Sequence, residues 1–88
     1  MSNVPNLDAM TVDELRQFCF KHLHGRKHKE LFPKGGQGVI TMTNDLSSYA
    51  MNKLTAMTLR ASGHVRRALE YETICEGIYE YLPEEARW

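Results

Sequence analysis

The chain has 88 residues and a mass of 10.1 kDa, with 42% apolar residues and a formal net charge of zero, which fits one small domain and excludes a wholly disordered chain. No apolar run approaches the roughly 20 residues of a membrane-spanning helix, and the N-terminus lacks the features of a secretory signal. With two cysteines only, the sequence predicts a cytoplasmic protein with reduced thiols.

The first predicted elements are a flexible leader at residues 1–10 and a single α-helical domain at 11–88. The leader shows no hydrophobic periodicity. Thr11 and Glu14 then match a capping box, in which each side chain satisfies a backbone amide at the start of a helix. We therefore expect helix 1 to run from residue 12 to about 24.

A long basic loop is predicted at residues 25–42, after Gly25 ends helix 1 in a left-handed conformation. Within it, Val39–Thr43 has the composition of a strand. One strand cannot form a sheet, so we expect an extended stretch or at most a hairpin arm. Asn44 and Asp45 are expected to cap the next helix.

Two further helices are predicted at about 45–62 and 65–82, where apolar residues recur at helical spacing until Pro83 ends the pattern. The short connection at Ser62–Gly63 requires them to form a long antiparallel αα-hairpin. Gly77 within the last helix costs about 1 kcal/mol relative to alanine, and a close helix crossing would explain it. The predicted fold is an all-α, three-helix domain in which helix 1 and the basic loop close the hairpin.

Charge is separated along the chain, although it sums to zero. Residues 16–69 hold ten basic and two acidic side chains, whereas residues 70–88 hold six glutamates and one arginine. Either the acidic helix lies against the basic segment and neutralises it, or the two charged surfaces both face solvent and steer a partner. The sequence leaves both interpretations open.

Four side chains of types that bind zinc lie close together, namely Cys19, His22, His24 and His28. Their spacing fits no familiar zinc pattern. Cys19 and Cys75 both lie at apolar helix positions, where a thiol usually packs as an inert side chain. We predict no metal, no cofactor and no catalytic residue, and hence a protein without enzymatic activity; metal binding by the cluster stays open.

Basic residues form two groups that could follow a phosphate backbone if helix 1 brings both to one end of the domain. They are Lys21, Arg26, Lys27, Lys29 and Lys34 in the first group and Arg60, Arg66 and Arg67 in the second. The isoelectric point of about 6.9 is low for a nucleic-acid-binding domain.

Aromatic and acidic side chains alternate near the C-terminus, a composition typical of protein-binding surfaces. The candidate residues are Tyr71, Tyr79, Tyr81, Trp88, Glu76 and Glu80. The alternative is that Trp88 folds back onto the core and the glutamates are only a solvent-facing surface.

The second half of the chain, residues 44–88, resembles a group of short helical proteins from phage and bacterial genomes. The resemblance lies in Asn52-Lys53, Ala56-Met57, Leu59-Arg60, Gly63, Ala68-Leu69, Tyr71-Glu72, Ile74-Cys75, Ile78-Tyr79, Leu82-Pro83 and Ala86-Arg87-Trp88. It implies a compact helical module, related to phage, and carries no activity.

The predicted function is that of a small interaction protein, which docks onto a host protein or nucleoprotein through its charge-separated surface. The alternative is nucleic-acid binding through the two basic groups. We expect a protein partner and no membrane association. Homodimerisation is a further expectation, because the apolar faces of the helices are wide for so small a domain.

Overall fold

The computed structural model describes residues 3–24 and 30–88. These residues form an all-helical structure without a strand, as predicted, and no helix among them is long and apolar enough to cross a bilayer. The α-helices are α1 (Val12–Phe18), α2 (Val39–Ala61) and α3 (Val65–Tyr81). The α2 and α3 helices pack against each other, which confirms the predicted hairpin.

The capping box at the start of α1 is confirmed. The Glu14 amide donates to Thr11 Oγ1 at 3.2 Å, and the Thr11 amide donates to Glu14 Oε1 at 3.1 Å. After α1 the chain widens into a π-helical turn, Cys19–His24, so the predicted helix continues to its expected end in a different winding. The predicted stop at Gly25 lies outside the described residues.

Helix α2 starts at Val39, so the prediction of an extended Val39–Thr43 and of a helix starting near residue 45 is wrong. Val39, Met42 and Leu46 are buried and lie on one helical face. Packing of this face outweighs the strand preference of β-branched residues, which is weak and depends on context. The expected caps Asn44 and Asp45 are therefore interior positions of α2.

A three-residue turn joins α2 to α3 through a Schellman motif. Gly63 has a φ of +84°, a conformation that favours glycine. The His64 amide donates to the Leu59 carbonyl at 2.8 Å, and the Gly63 amide donates to the Arg60 carbonyl at 3.0 Å. These bonds satisfy the last carbonyls of α2 and direct α3 back along it.

Residues 3–10 are packed onto the domain rather than forming the flexible leader that the sequence predicted. Val4 and Leu7 are buried in the core, and Leu7–Ala9 forms a 3-10 turn. The turn is capped by Asn6, whose side chain accepts from the Asp8 amide at 3.0 Å. Burial of these two apolar side chains stabilises the segment in its packed position, although its sequence has no hydrophobic periodicity.

The core occupies only one end of the long hairpin. Its largest fully buried side chains are Leu7, Leu15, Leu46 and Leu82. On the hairpin the fully buried core reaches Ala50 in α2 and Cys75 in α3. Beyond these positions only the small side chains of Ala56 and Ala68 are buried. The distal hairpin, Met51–Ile74, thus extends past the core.

Gly77 lies in α3 with open space around it. A Cβ atom built there would meet no heavy atom within 4 Å, so no close helix crossing inside the chain explains this glycine. The crossing that the sequence suggested as its reason is absent from the described structure.

Gly77→Ala should therefore stabilise the fold by about 0.5–1 kcal/mol, because alanine loses less backbone entropy in a helix and meets no neighbour here. Urea unfolding at low protein concentration measures this change. A loss of stability would contradict the open environment seen at this position.

Candidate functional site

Helix α3 carries two neighbouring apolar stripes, and the first faces α2 and the core. Its members are Ala68, Cys75, Tyr79 and Leu82, all buried except for Tyr79, which is partly exposed. Successive members are seven, four and three residues apart, which keeps them on one helical face. This inner stripe accounts for the packing of α3 within the chain.

The second stripe consists of Tyr71, Ile74, Ile78 and Tyr81 and is called here the outer stripe. Successive members are three, four and three residues apart, the spacing of a helix–helix seam. Tyr71 and Ile78 are partly buried, whereas Ile74 is 47% exposed and Tyr81 is 87% exposed. No described element covers the exposed members.

The two ends of α3 carry opposite charges. Arg66 and Arg67 are exposed in the first turn of α3, and Glu80 and Glu84 are exposed around its end. This order opposes the helix macrodipole, which favours acidic side chains at the N-terminus and basic ones at the C-terminus. The first turn of α3 has no acidic residue and the last turn has no basic one.

Two of the predicted protein-binding residues, Tyr79 and Trp88, lie in an aromatic cluster over the core. The Trp88 ring makes edge contacts with the rings of Tyr49 and Tyr79, each at a centroid distance of 4.8 Å. The Tyr79 hydroxyl donates to the Trp88 carbonyl at 2.6 Å. Trp88 has folded back onto the core, which was the alternative that the sequence left open.

Helical periodicity places the other predicted protein-binding residues on different sides of α3. Tyr71 and Tyr81 belong to the outer stripe. Glu76 lies two residues from both Ile74 and Ile78, and therefore on the opposite side of α3. Glu80 is exposed beside Tyr81 in sequence, and its backbone carbonyl accepts from Arg87 Nη2 at 2.7 Å.

Asp8 links the N-terminal segment to the aromatic cluster and to α2. Its carboxylate accepts from the Tyr49 hydroxyl and from Trp88 Nε1 at 3.1 Å, and lies 3.4 Å from Lys53 Nζ. Partial burial alone would raise the pKa of Asp8, but the bonds from Tyr49 and Trp88 and the charge of Lys53 hold this pKa below its usual value of 3.8. Burial of Tyr49 and its hydrogen bond to the Asp8 carboxylate raise the pKa of the Tyr49 hydroxyl.

Lys34 of the first basic group lies at the other end of α2 from the second basic group. Lys34 precedes α2 and Arg60 lies near its end, and a helix of 23 residues spans about 34 Å. Lys21, Lys34, Arg66 and Arg67 are exposed, whereas Arg26, Lys27 and Lys29 lie outside the described residues. Lys34 and the second basic group therefore do not form one continuous patch.

One charge of the second basic group is neutralised inside the hairpin. Arg60 Nε and Nη2 donate to the two carboxylate oxygens of Glu72, each at 2.7 Å. This bidentate pair joins the distal parts of α2 and α3. The basic and acidic segments of the sequence thus contact each other at this pair. Arg66 and Arg67, in contrast, are exposed.

The possible metal ligands do not converge in the described structure. His22 Nδ1 lies 3.2 Å from Glu30 Oε2, Cys19 is buried, and the side chain of His24 and all of His28 lie outside the described part. Among described side chains no group of three could hold a metal ion. Burial raises the pKa of the Cys75 thiol to about 11 and also raises that of Cys19, so both thiols are protonated at neutral pH.

Comparisons of the chain with known protein families, with curated proteins and with solved structures find no match. The candidate site is therefore inferred from the geometry of the structure alone. In the sequence, Ile74 and Ile78 belong to the wide apolar face of the last predicted helix. Their spacing relative to Tyr71 and Tyr81 was the available signal that this face contains a separate stripe.

Asp8→Asn should destabilise the fold at neutral pH by about 1 kcal/mol, a modest loss because the carboxylate is half exposed. A carboxylate whose pKa is lowered by folding stabilises the protein above its unfolded pKa, and this contribution is lost as the pH falls through the folded pKa. The difference in the free energy of unfolding between the variant and the original chain should therefore shrink as the pH falls from about 5 to about 3. Urea unfolding across this pH range measures it.

Asp45→Asn, which alters another carboxylate, one that lies on α2, is the control for this titration. A difference for Asp8→Asn that stays constant across this pH range would contradict a role for the Asp8 charge.

Proposed function

We propose that this chain is a protein-binding module without enzymatic activity of its own, and that it docks through the outer stripe of α3. The observation that carries the proposal is the exposure of Ile74 and Tyr81 within a regular helix–helix seam. Apolar side chains in such a seam gain free energy when a second helix removes them from water.

The partner element that fits this surface is an amphipathic helix of another protein chain. A helix has the matching seam spacing, and the outer stripe offers two aliphatic and two tyrosine side chains for contact. Tyrosine adds a large contact area with little loss of side-chain entropy.

The distal hairpin supports this function because it carries Tyr71 and Ile74, the first two members of the outer stripe, beyond the fully buried core. The Arg60–Glu72 pair, the Schellman turn and the burial of Ala56 and Ala68 hold the two helices together. The docking surface is thus part of a rigid element, which limits the ordering entropy that binding costs. Docking onto a host protein, as the phage resemblance suggests, is one setting for such a module.

Replacing Ile74 and Tyr81 with glutamine tests the proposal. Tyr81 is largely exposed and Ile74 is half exposed, so Ile74→Gln with Tyr81→Gln should change the free energy of unfolding by no more than about 1 kcal/mol. Binding to a helical partner should weaken by at least about tenfold, because the apolar centre of the contact is lost.

The matched control is Met51→Gln, which alters an apolar side chain that is 60% exposed and lies on α2 rather than on α3. Nuclease-treated extract of the organism that encodes the chain is passed over all three proteins. A protein retained by the original chain and the control, lost from the stripe variant, and binding the purified chain directly supports the proposal. Equal retention by all three overturns it, and retention that nuclease abolishes favours the nucleic-acid alternative.

A further inference from the structure

We infer that the chain has a second binding surface, a pocket beside Phe20 that takes an unpaired base of single-stranded nucleic acid together with the adjacent phosphate. This pocket lies on α1 and the π-helical turn that follows, so the inference goes beyond the proposed function, which concerns α3. The exposure of Phe20, the concave shape beside it and the charges of its neighbours carry the inference.

Phe20 is an aromatic side chain that the core does not use. Phe18 and Cys19, the two residues before it, are buried, whereas Phe20 is 79% exposed. It lies in the π-helical turn Cys19–His24, and short π-helical segments are frequent at functional sites. Stacking of a planar ring on Phe20 would remove apolar surface from water, which is favourable.

An open pocket of about 730 Å³ is lined by Phe20 and by the apolar side chains of Pro5, Met10 and Phe18. Pockets that bind small organic groups have volumes of about 300–1,000 Å³, so a base with its sugar fits this one. Insertion requires a base that is free to leave its neighbours. Single strands offer such bases, whereas the bases of a duplex are paired and stacked on each other.

Two cations line the same pocket, Arg16 and Lys21, and both are exposed. Arg16 lies four residues before Phe20, and Gln17 lies four residues before Lys21, which is the spacing of neighbours on one side of a helix. A phosphate bound by the two cations would thus lie next to a base stacked on Phe20. The exposed Gln17 adds an amide that can donate to, or accept from, the edge of the base.

The charge of the surrounding sequence favours an anionic ligand. The fourteen residues 16–29 hold five lysine or arginine side chains and no acidic one. Three acidic residues flank this segment, which leaves an excess of two positive charges. Two of these carboxylates already have partners, because Glu14 accepts from the Thr11 amide at 3.1 Å and Glu30 lies 3.2 Å from His22 Nδ1.

Among anionic macromolecules, single-stranded nucleic acid fits this combination of groups best. An acidic peptide would be attracted by the same charges, but its carboxylates offer no planar ring to Phe20. A duplex has the phosphates but keeps its bases stacked. An unpaired nucleotide contacts Phe20 and both cations together, which is the way in which proteins bind single strands without reading their sequence.

The probe is a labelled oligothymidine of about eight nucleotides, and its binding to the full chain is measured by fluorescence anisotropy at low salt. Because the site is small, we expect a dissociation constant from about 10 µM to about 1 mM. A duplex and a glutamate peptide of the same length should each bind at least about tenfold more weakly, since each lacks either the free base or the ring.

Two variants separate stacking from charge. Phe20→Ala should weaken binding at least about fivefold, and Phe20→Trp should retain it, because the stacked ring carries this contribution. Arg16→Gln with Lys21→Gln should lower the steepness of the salt dependence by about 1.4 in the slope of log K against log salt, as two phosphate contacts are lost. All these side chains are exposed, so the midpoint of urea unfolding should not change.

The matched controls lie away from α1. Met51→Gln alters another exposed apolar side chain, and Arg66→Gln with Arg67→Gln removes two exposed cations at the start of α3. Both should bind the oligonucleotide as the original chain does. An equal loss in the Arg66 and Arg67 variant overturns a local pocket in favour of a diffuse attraction between charges.

Three further results overturn the inference. They are absence of binding at about 1 mM protein, undiminished binding by Phe20→Ala, and a glutamate peptide or duplex that binds as tightly as the single strand. The proposed function is tested separately, because Ile74→Gln with Tyr81→Gln leaves every residue of this pocket in place. That variant should keep the affinity of the original chain for the oligonucleotide, whether or not it loses a captured protein.

Discussion

The short turn between α2 and α3 is the constraint on which the rest of the structure depends. Gly63 provides the left-handed residue, and the backbone bonds to Leu59 and Arg60 end α2. Because only three residues join the helices, α3 must return along α2, and one side of it is buried there. This geometry sets which stripe of α3 is internal and which is left outside.

The N-terminal segment and the C-terminus meet at the end of the hairpin that contains the core. Asp8 bonds Tyr49 of α2 and Trp88 at the end of the chain, so contacts between residues far apart in sequence close this end. No such cover exists for the outer stripe among the described residues. Helix α3 therefore has one side that stabilises the domain and one side on which Ile74 and Tyr81 are exposed.

This division explains two features that would be costly in an isolated chain. One is the exposure of Ile74 and Tyr81, and the other is a charge order in α3 that opposes its macrodipole. Docking of a second helix onto the outer stripe, as proposed above, would remove Ile74 and Tyr81 from water and so reduce the first cost.

The sequence by itself determined the three helices, the capping box at Thr11 and the hairpin, because these follow from short-range periodicity, caps and turn residues. It misassigned Val39–Thr43 and residues 3–10, because burial against distant parts of the chain outweighed local preference there. It identified Tyr71 and Tyr81 as candidates but grouped them with Tyr79 and Trp88. Only the tertiary structure separated them, since two stripes of one helix differ solely in what packs against them.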